Sequence, residues 1–565
     1  MNEAAALTSA VSAAGLMRHC AEFAKRVKLS GTPEELESFR YLEACLKIYG
    51  YRTELLSHDA YISLPGRSRV EAGGRELKSI THSFSLSSPK AGLEAELIDV
   101  ADGGETDFAK ADCRGKIVLV DGIASPAAAA RAKAAGAVGQ LHVSPHEHFH
   151  EMCISPVWGS PSDATLAEMP ATVACTISNA DGEALRAKLA SGGKLAVTLH
   201  AEVDTGWRKT PLLVAELDGP SGKDAPFVLL SGHHDTWYYG VMDNGSANAT
   251  MLEAARLMAE RRGAWRRGLR ICFWSGHSHG RYSGSAWYAD TYFEDLERRC
   301  AAHVNVDSTG GIGATLLTDN GVVSELVPLA KEATLAESGQ QHQGKRPSRS
   351  SDQSFWGIGI PSMYGSISHQ PPGPVKMRNP LGWWWHTPHD LIDKIDEGFL
   401  VRDTRIVTAS LWRLLSGEIL PLDIAAHAAS LLQELEAIAP KLEGRLPLAA
   451  LVDAAVGLRD KAKAVVALAH GGDRAKLDAM NAALMRVSRA LVPLDYTQGD
   501  RFSHDPALPQ PPWPTLQKLR DLAATKQGSD EERFMAVAAK RTRNRVAFAL
   551  HQAHEALEVA LGGGR

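Results

Sequence analysis

The chain has no basic leader, no long apolar run and no cysteine-pair motif, and each absence excludes a class of protein. Its first residues, Met1-Asn-Glu-Ala-Ala5, carry no positive charge ahead of an apolar segment, so no secretory signal is expected. No apolar stretch approaches the roughly 20 residues needed to cross a bilayer, which predicts a soluble, cytoplasmic protein without a membrane partner. The seven cysteines among 565 residues form no C-x-x-C pair. An odd, scattered set is expected to be reduced and buried as small hydrophobes, not joined in a disulfide framework. Positive charge is not in excess either: 61 Lys and Arg stand against 66 Asp and Glu, a formal net charge of −5. That leaves no footprint for nucleic acid and points to small molecules or short peptides as partners. No glycine-rich phosphate loop accompanies a nucleotide fingerprint.

What the chain does have is alternation of strand and helix patterns. Apolar residues recur at helical spacing from Val11 to Tyr49, ending at Gly50, and strand-like segments follow around Tyr51–Leu56 and Tyr61–Leu64. Beyond Thr210 come a strand at Phe227–Leu230, a helix at Ala247–Glu260, a strand at Leu269–Trp274, a helix at Ser283–Thr291 and a strand at Ala302–Val306. That order predicts an α/β fold with a doubly wound, mainly parallel sheet. Residues 87–200, with short strands and one Ala-rich helix, read as an inserted β-rich unit. Residues 421–565 read as a helical domain with apolar stripes at Leu431, Leu432, Leu435 and Ile438 and at Met480, Leu484 and Val487. The core is then 1–86 with 201–420.

Chemistry concentrates at the predicted strand ends. His233 and Asp235, in Ser231-Gly-His-His-Asp235, follow a buried strand, and ligands sit in the crevice outside such carboxyl ends. Asp243 comes where a loop turns into a helix, a place from which a carboxylate can bridge two cations. Asp307 ends another strand, and His386 lies in the Pro-stiffened segment His386-Thr-Pro-His-Asp390. His277 and His279 follow the strand ending at Trp274; if the chain stays extended, both imidazoles face one side, a geometry that suits zinc.

These segments resemble the co-catalytic zinc aminopeptidases and carboxypeptidases, the family that includes glutamate carboxypeptidase II and, without activity, the transferrin receptor. The resemblance also covers Ser351-Asp-Gln-Ser-Phe-Trp-Gly-Ile-Gly-Ile-Pro361 and Leu491-Val-Pro-Leu-Asp495. It implies that 87–200 is a protease-associated domain and that the last 140 or so residues mediate homodimerisation. It further implies one or two zinc ions, or another divalent transition metal, with His233 and Asp307 on one, His386 on the second, Asp243 bridging both, and Asp235 orienting His233.

One motif departs from the family. Its Glu-Glu pair, general base then metal ligand, precedes a Gly-Ser that survives as Gly284-Ser285. Counting back places Ser278 at the base position and His279 at the ligand position. Three outcomes stay open: a dinuclear hydrolase with His277 or another nearby histidine as proton shuttle, a mononuclear enzyme, or a non-catalytic binding or scaffold protein. The expected reaction is hydrolysis of an amide or peptide C–N bond with metal-bound water as nucleophile and a non-standard proton acceptor. Ser278 also sits in Gly276-His-Ser-His-Gly280, so a serine nucleophile is an alternative. For substrate, Arg281 could meet a carboxylate, and Trp385 and Tyr238 could line an aromatic pocket. The run His142-Val-Ser-Pro-His-Glu-His-Phe-His150 could reach the cleft from the inserted unit or be a polar surface loop.

Overall fold

Runs of apolar residues at 227–230 and 269–274 become strands buried along their whole length, as a parallel sheet covered on both faces requires. The computed structural model describes residues 3–373, 380–468 and 473–562. From one edge, its sheet runs Ser362–Ser366, Cys300–Asp307, Phe227–His233, Gly268–Trp274 and then Ala196–Leu217. The first four pair in parallel and the last joins antiparallel. The register sets His233 beside Trp274 and Ser231 beside Asn305, so three neighbouring strands end together. Gly232 permits that convergence, because a Cβ there would lie 2.5 Å from the Val306 carbonyl oxygen.

The apolar periodicity between Val11 and Tyr49 resolves into two helices, Ala13–Phe23 and Pro33–Ile48. Thr32 caps the second by accepting from the Glu35 N–H, and Pro33 occupies its first turn. The intervening loop runs beneath the strand ends. There the fully buried Lys28 ammonium donates to the carbonyls of Phe23, Arg26 and Tyr239, and burial lowers its pKa to about 7.

The expected border at 200/201 falls inside a strand. Arg52–Ala72 and Ala196–Leu217 form one long antiparallel pair that leads from the core sheet into the inserted region. Backbone hydrogen bonding is indifferent to side-chain polarity and carries the strand through the polar run 201–209. Within the inserted region, strands Leu93–Asp99, Ile117–Asp121, Gly139–Val143 and Val173–Ile177 pair in parallel around an apolar cluster of their own, including Leu97, Ile117, Leu141 and Val173.

The C-terminal region is helical as expected, and both apolar stripes are buried in the same core cluster as Leu230 and Ile271. Among the described residues, no helix is long and apolar enough to cross a membrane. No disulfide forms, and six of the seven cysteines are buried.

Where this region meets the core, His427 donates to two carboxylates: Nδ1 lies 2.9 Å from Glu325 Oε1 and Nε2 3.1 Å from Asp495 Oδ2, all three residues fully buried. Burial alone would lower the imidazole pKa, but the two carboxylates outweigh it and raise it to about 9. A raised folded-state pKa gives stability that is complete below the unfolded value near 6.5 and is lost as pH rises through about 9. The shift corresponds to something on the order of 3 kcal/mol. Denaturant melts at pH 6.5 and 9.5 should therefore show the wild type losing stability across that window, with most of the loss absent in His427→Gln. Equal slopes in the two proteins would contradict the assignment.

Candidate metal centre

At the end of strand Phe227–His233, His233 Nδ1 lies 2.8 Å from the carbonyl of Asp235. A carbonyl only accepts, so Nδ1 carries a hydrogen and Nε2 is the nitrogen turned toward the site. Nε2 faces Asp243 Oδ1 at 3.1 Å and Asp307 Oδ1 at 3.6 Å. His386 repeats the arrangement: Nδ1 donates to the Glu151 carbonyl at 2.7 Å, and Nε2 faces Asp243 Oδ2 at 3.0 Å. Asp243 thus spans two imidazoles, one on each oxygen. Its own position is fixed by Asp390, whose carboxylate accepts the N–H groups of Met242 and Asp243 at 2.8 and 3.0 Å. Burial raises the Asp390 pKa to about 7. Asn244 ties the strand ends together, donating to the carbonyls of His233 and Val306 and accepting from the Ser308 N–H.

Whether these groups suit divalent ions can be judged from their protonation. Burial lowers the His386 pKa, more than Asp243 raises it. Its neutral Nε2 then opposes a carboxylate oxygen across 3.0 Å, acceptor against acceptor, which is favourable only with a cation between them. Burial would raise the Asp243 and Asp307 pKa values, but the neighbouring histidines hold both below the ordinary range. Burial would lower the His233 pKa, but the Asp243 and Asp307 carboxylates outweigh it and raise it well above the ordinary range, so an arriving cation takes the place of the His233 proton. Two carboxylates and two imidazoles, each locked by a carbonyl at its far side, are a donor set fitted to zinc-like ions. His233, Asp243 and Asp307 would hold one ion, and Asp243 with His386 a second.

The chain does not stay extended after Trp274. Gly276 takes φ +75° and starts a turn, where a Cβ would lie 2.0 Å from Ser283 Oγ. The turn sends the two histidines apart. His277 stacks on His233, with ring centroids 3.7 Å apart, and its nearest ligand atom groups with those of His233 and Asp307 within 4.8 Å. His279, expected as a ligand, instead packs against Trp237, with Nδ1 3.0 Å from Ser30 Oγ. Like Asp243 and His386 it lies outside that three-residue group, and its buried Nε2 has no hydrogen-bond partner among the described residues.

Asp235 also differs from its expected part. The His233 Nδ1–H goes to its backbone carbonyl, while the nearer carboxylate oxygen stands 3.8 Å away. The carboxylate instead holds the turn, accepting from the N–H groups of His277 at 3.2 Å and Ser278 at 2.8 Å and from the Ser30 hydroxyl at 2.7 Å. Ser278 lines the pocket, yet its buried hydroxyl has no hydrogen-bond partner among the described residues, so no histidine is placed to activate it as a nucleophile.

The pocket in front of this centre has a volume of about 470 Å³ and is lined on the metal side by Asp243, His277, Ser278, Asp307, Trp385 and His386. Trp385 stacks on His386, with centroids 3.4 Å apart. Arg281 lines the wall but is directed to the inserted region, donating to the carbonyls of Cys153 and Ser155. Tyr238 is not among the lining residues. The histidine run of the inserted region is a tether. The His148 N–H donates to His146 Nδ1, which leaves His146 Nε2–H to donate to His150 Nε2 at 3.0 Å. His150 Nδ1–H in turn bonds the Trp385 carbonyl at 2.5 Å.

A group the sequence reading did not single out completes the site. Asp352, fully buried, accepts from His277 Nδ1 at 2.9 Å and from the Ser285 hydroxyl at 2.8 Å. The His277 Nε2 lone pair is left available on the pocket side.

Residues 213–411 match the model of Peptidase family M28. The resemblance to the co-catalytic zinc peptidases is borne out in this family match, and the matched segment contains His233, Asp243, His277, Asp307, Asp352 and His386. A probable glutamate carboxypeptidase of Zea mays is 24% identical over half of this chain, and the match spans about half of that relative's length. One of Arabidopsis thaliana is 22% identical over 78% of this chain and 72% of its own. Among solved structures, an aminopeptidase from an Aneurinibacillus strain superposes with a TM-score of 0.55 at 24% identity, covering 72% of this chain and 95% of its own. A zinc aminopeptidase from Bacillus subtilis gives 0.56 at 22%, covering 72% and 96%. These two likenesses show a shared fold.

Proposed function

We propose that this protein is a metal-dependent hydrolase of peptide or amide C–N bonds, with zinc as the expected metal and His277 in place of a glutamate base. The observation that carries the reading is Asp243 set between the Nε2 atoms of two imidazoles, beside His277, which lines the same pocket and is held from behind by Asp352. When bound, divalent ions would polarise the scissile carbonyl and acidify water. The chain's own groups supply the proton transfers. As the water oxygen bonds to the carbonyl carbon, its proton passes to His277 Nε2, and Asp352 stabilises the resulting imidazolium through Nδ1–H. As the C–N bond breaks, the same proton goes to the leaving nitrogen, giving a carboxylic acid and an amine.

A second reading has one specific support: the ligand atoms of His277, His233 and Asp307 lie within 4.8 Å of one another, close enough for His277 to be a metal ligand. Metal stoichiometry in a His277 variant separates the two. The hydrolase reading itself is tested with aminoacyl, N-acyl and carboxypeptidase substrates under saturating zinc, manganese or cobalt. Turnover that chelation abolishes is expected. Absence of both bound metal and turnover would leave a binding or scaffold protein on the peptidase fold.

We also propose a homodimer formed through the helical region. Phe534, Val537, Phe548 and Val559, 79%, 51%, 63% and 55% exposed, fall on helix Asp530–Ala560 at spacings that bring them to one side. Light scattering should give twice the chain mass for the wild type and a monomer for Phe548→Arg. A monomeric wild type would contradict the dimer alone.

A further inference from the structure

Across the pocket from the metal ligands runs the loop 345–351, which contributes Arg346 and Arg349 to the lining. Both guanidiniums are held from behind by the C-terminal region. Arg346 donates from Nη1 to the Asp495 carboxylate and from Nη2 to the Asp495 carbonyl, and lies 4.0 Å over the Tyr496 ring. Arg349 donates from Nη2 to the Asp505 carbonyl at 2.8 Å and lies 3.9 Å over the Trp158 ring. Asp495 is itself immobilised. It is fully buried, and its other oxygen is bonded by His427, which Glu325 holds from the far side. Ser488 closes the network on Glu325 at 2.8 Å.

Two features point from this geometry to a ligand. The bonds to Asp495 use two of the five guanidinium N–H groups of Arg346, and among the described residues the other three have no partner. Arg349 Nε is buried and has no hydrogen-bond partner among the described residues, an arrangement that costs free energy until an acceptor arrives. A buried carboxylate network that fixes one face of an arginine while its other donors border a substrate pocket is the construction expected of a recognition residue.

We propose that Arg346 and Arg349 bind an acceptor oxygen of the substrate, and that Asp495, supported by His427 and Glu325, is the positioning residue that sets Arg346 for it. The helical region then forms part of the substrate site in addition to any role in assembly. The oxygen belongs to a carboxylate or to a backbone carbonyl, and a free-acid substrate and its amide tell the two apart. The proposal rests on the hydrolase reading for its kinetic arm only.

The test uses the full chain, with Arg346→Gln and Arg349→Gln as variants of partly exposed side chains, Asp495→Asn as the positioning variant and Arg346→Lys as the conservative control. In the kinetic arm, with a peptide the wild type cleaves, Arg346→Gln is expected to raise KM about tenfold or more with kcat little changed and bound metal unaltered. Asp495→Asn should move KM in the same direction, and Arg346→Lys should recover part of the loss. The binding arm is calorimetry of metal-free protein with tri-alanine and tri-alanine amide. The wild type should bind at least one of them about tenfold more tightly than Arg346→Gln. A preference for the free acid assigns a carboxylate, and equal binding of acid and amide assigns a carbonyl. If Arg346→Gln matches the wild type in the binding arm, or if neither protein binds either peptide, the proposal fails whether or not hydrolysis is found. If wild type and Arg346→Gln differ in binding while no substrate is turned over, the hydrolase reading fails and the recognition pair stands.

Discussion

Asp243→Asn is expected to lower kcat/KM by roughly 10³-fold or more and to remove at least one bound ion per chain. Among the described residues, Asp243 is the one carboxylate that faces both His233 and His386, at 3.1 and 3.0 Å. Its replacement by an amide keeps the volume and removes the charge that would neutralise two neighbouring cations. The fold should survive, because Asp390 bonds the backbone of Met242 and Asp243 and not the Asp243 side chain. The Asn amide can also donate to one of the imidazole lone pairs. A melting temperature close to wild type, with bound metal and activity lost together, is the expected result. Retention of two ions per chain by the variant would show that the pair is held by other groups.

His277→Gln carries the second large effect. General-base assistance contributes roughly 10²- to 10⁴-fold, so a loss of kcat in that range is expected. Bound metal should stay at the wild-type stoichiometry if His277 accepts the proton, and should fall by one ion if His277 is a ligand. Asp352→Asn provides the internal check. A carboxylate fixes the imidazole tautomer with Nδ1–H outward and Nε2 free, whereas an amide can present its NH₂ group and reverse the tautomer. A loss of about 10- to 100-fold with metal unchanged is expected, a size typical of groups that orient a reacting imidazole. No change in either variant would remove His277 from the chemistry.

The sequence made the scaffold of this site legible because its signals are local. His233, Asp243 and Asp307 each stand at a strand end or helix start that the apolar pattern marks, His386 stands in the Pro-stiffened segment 386–390, and the fold brings all four together. The fate of His277 and His279 was not legible, since it depends on one backbone angle at Gly276. An extended chain would have pointed both the same way, and the turn divides them between Asp352 and Ser30. Counting back from Gly284-Ser285 located the departure from the family motif but could not show which side chain faces the pocket. Asp352 and Asp390 lay inside segments already recognised, and only tertiary contact shows what their carboxylates hold. Ser30 and the Glu151 carbonyl gave no sequence signal at all, being 205 and 235 residues from the groups they serve, and Asp495, inside a segment already recognised, lies 149 residues from the arginine it holds. The same limit explains Arg281: beside the altered motif it reads as a substrate contact, and the fold directs it to the inserted region's carbonyls.

The central claim is that the strand-end cluster binds divalent metal in a site where His277, and not a glutamate, faces the pocket. Diffraction from crystals grown with zinc, with anomalous data on both sides of the zinc edge, tests it most directly. The account predicts two anomalous peaks flanking the Asp243 carboxylate, one within bonding distance of His233 and Asp307 and one of His386, with His277 Nε2 directed toward them. A protein saturated with zinc in solution that shows no peak beside Asp243, or only peaks on surface histidines, would contradict it.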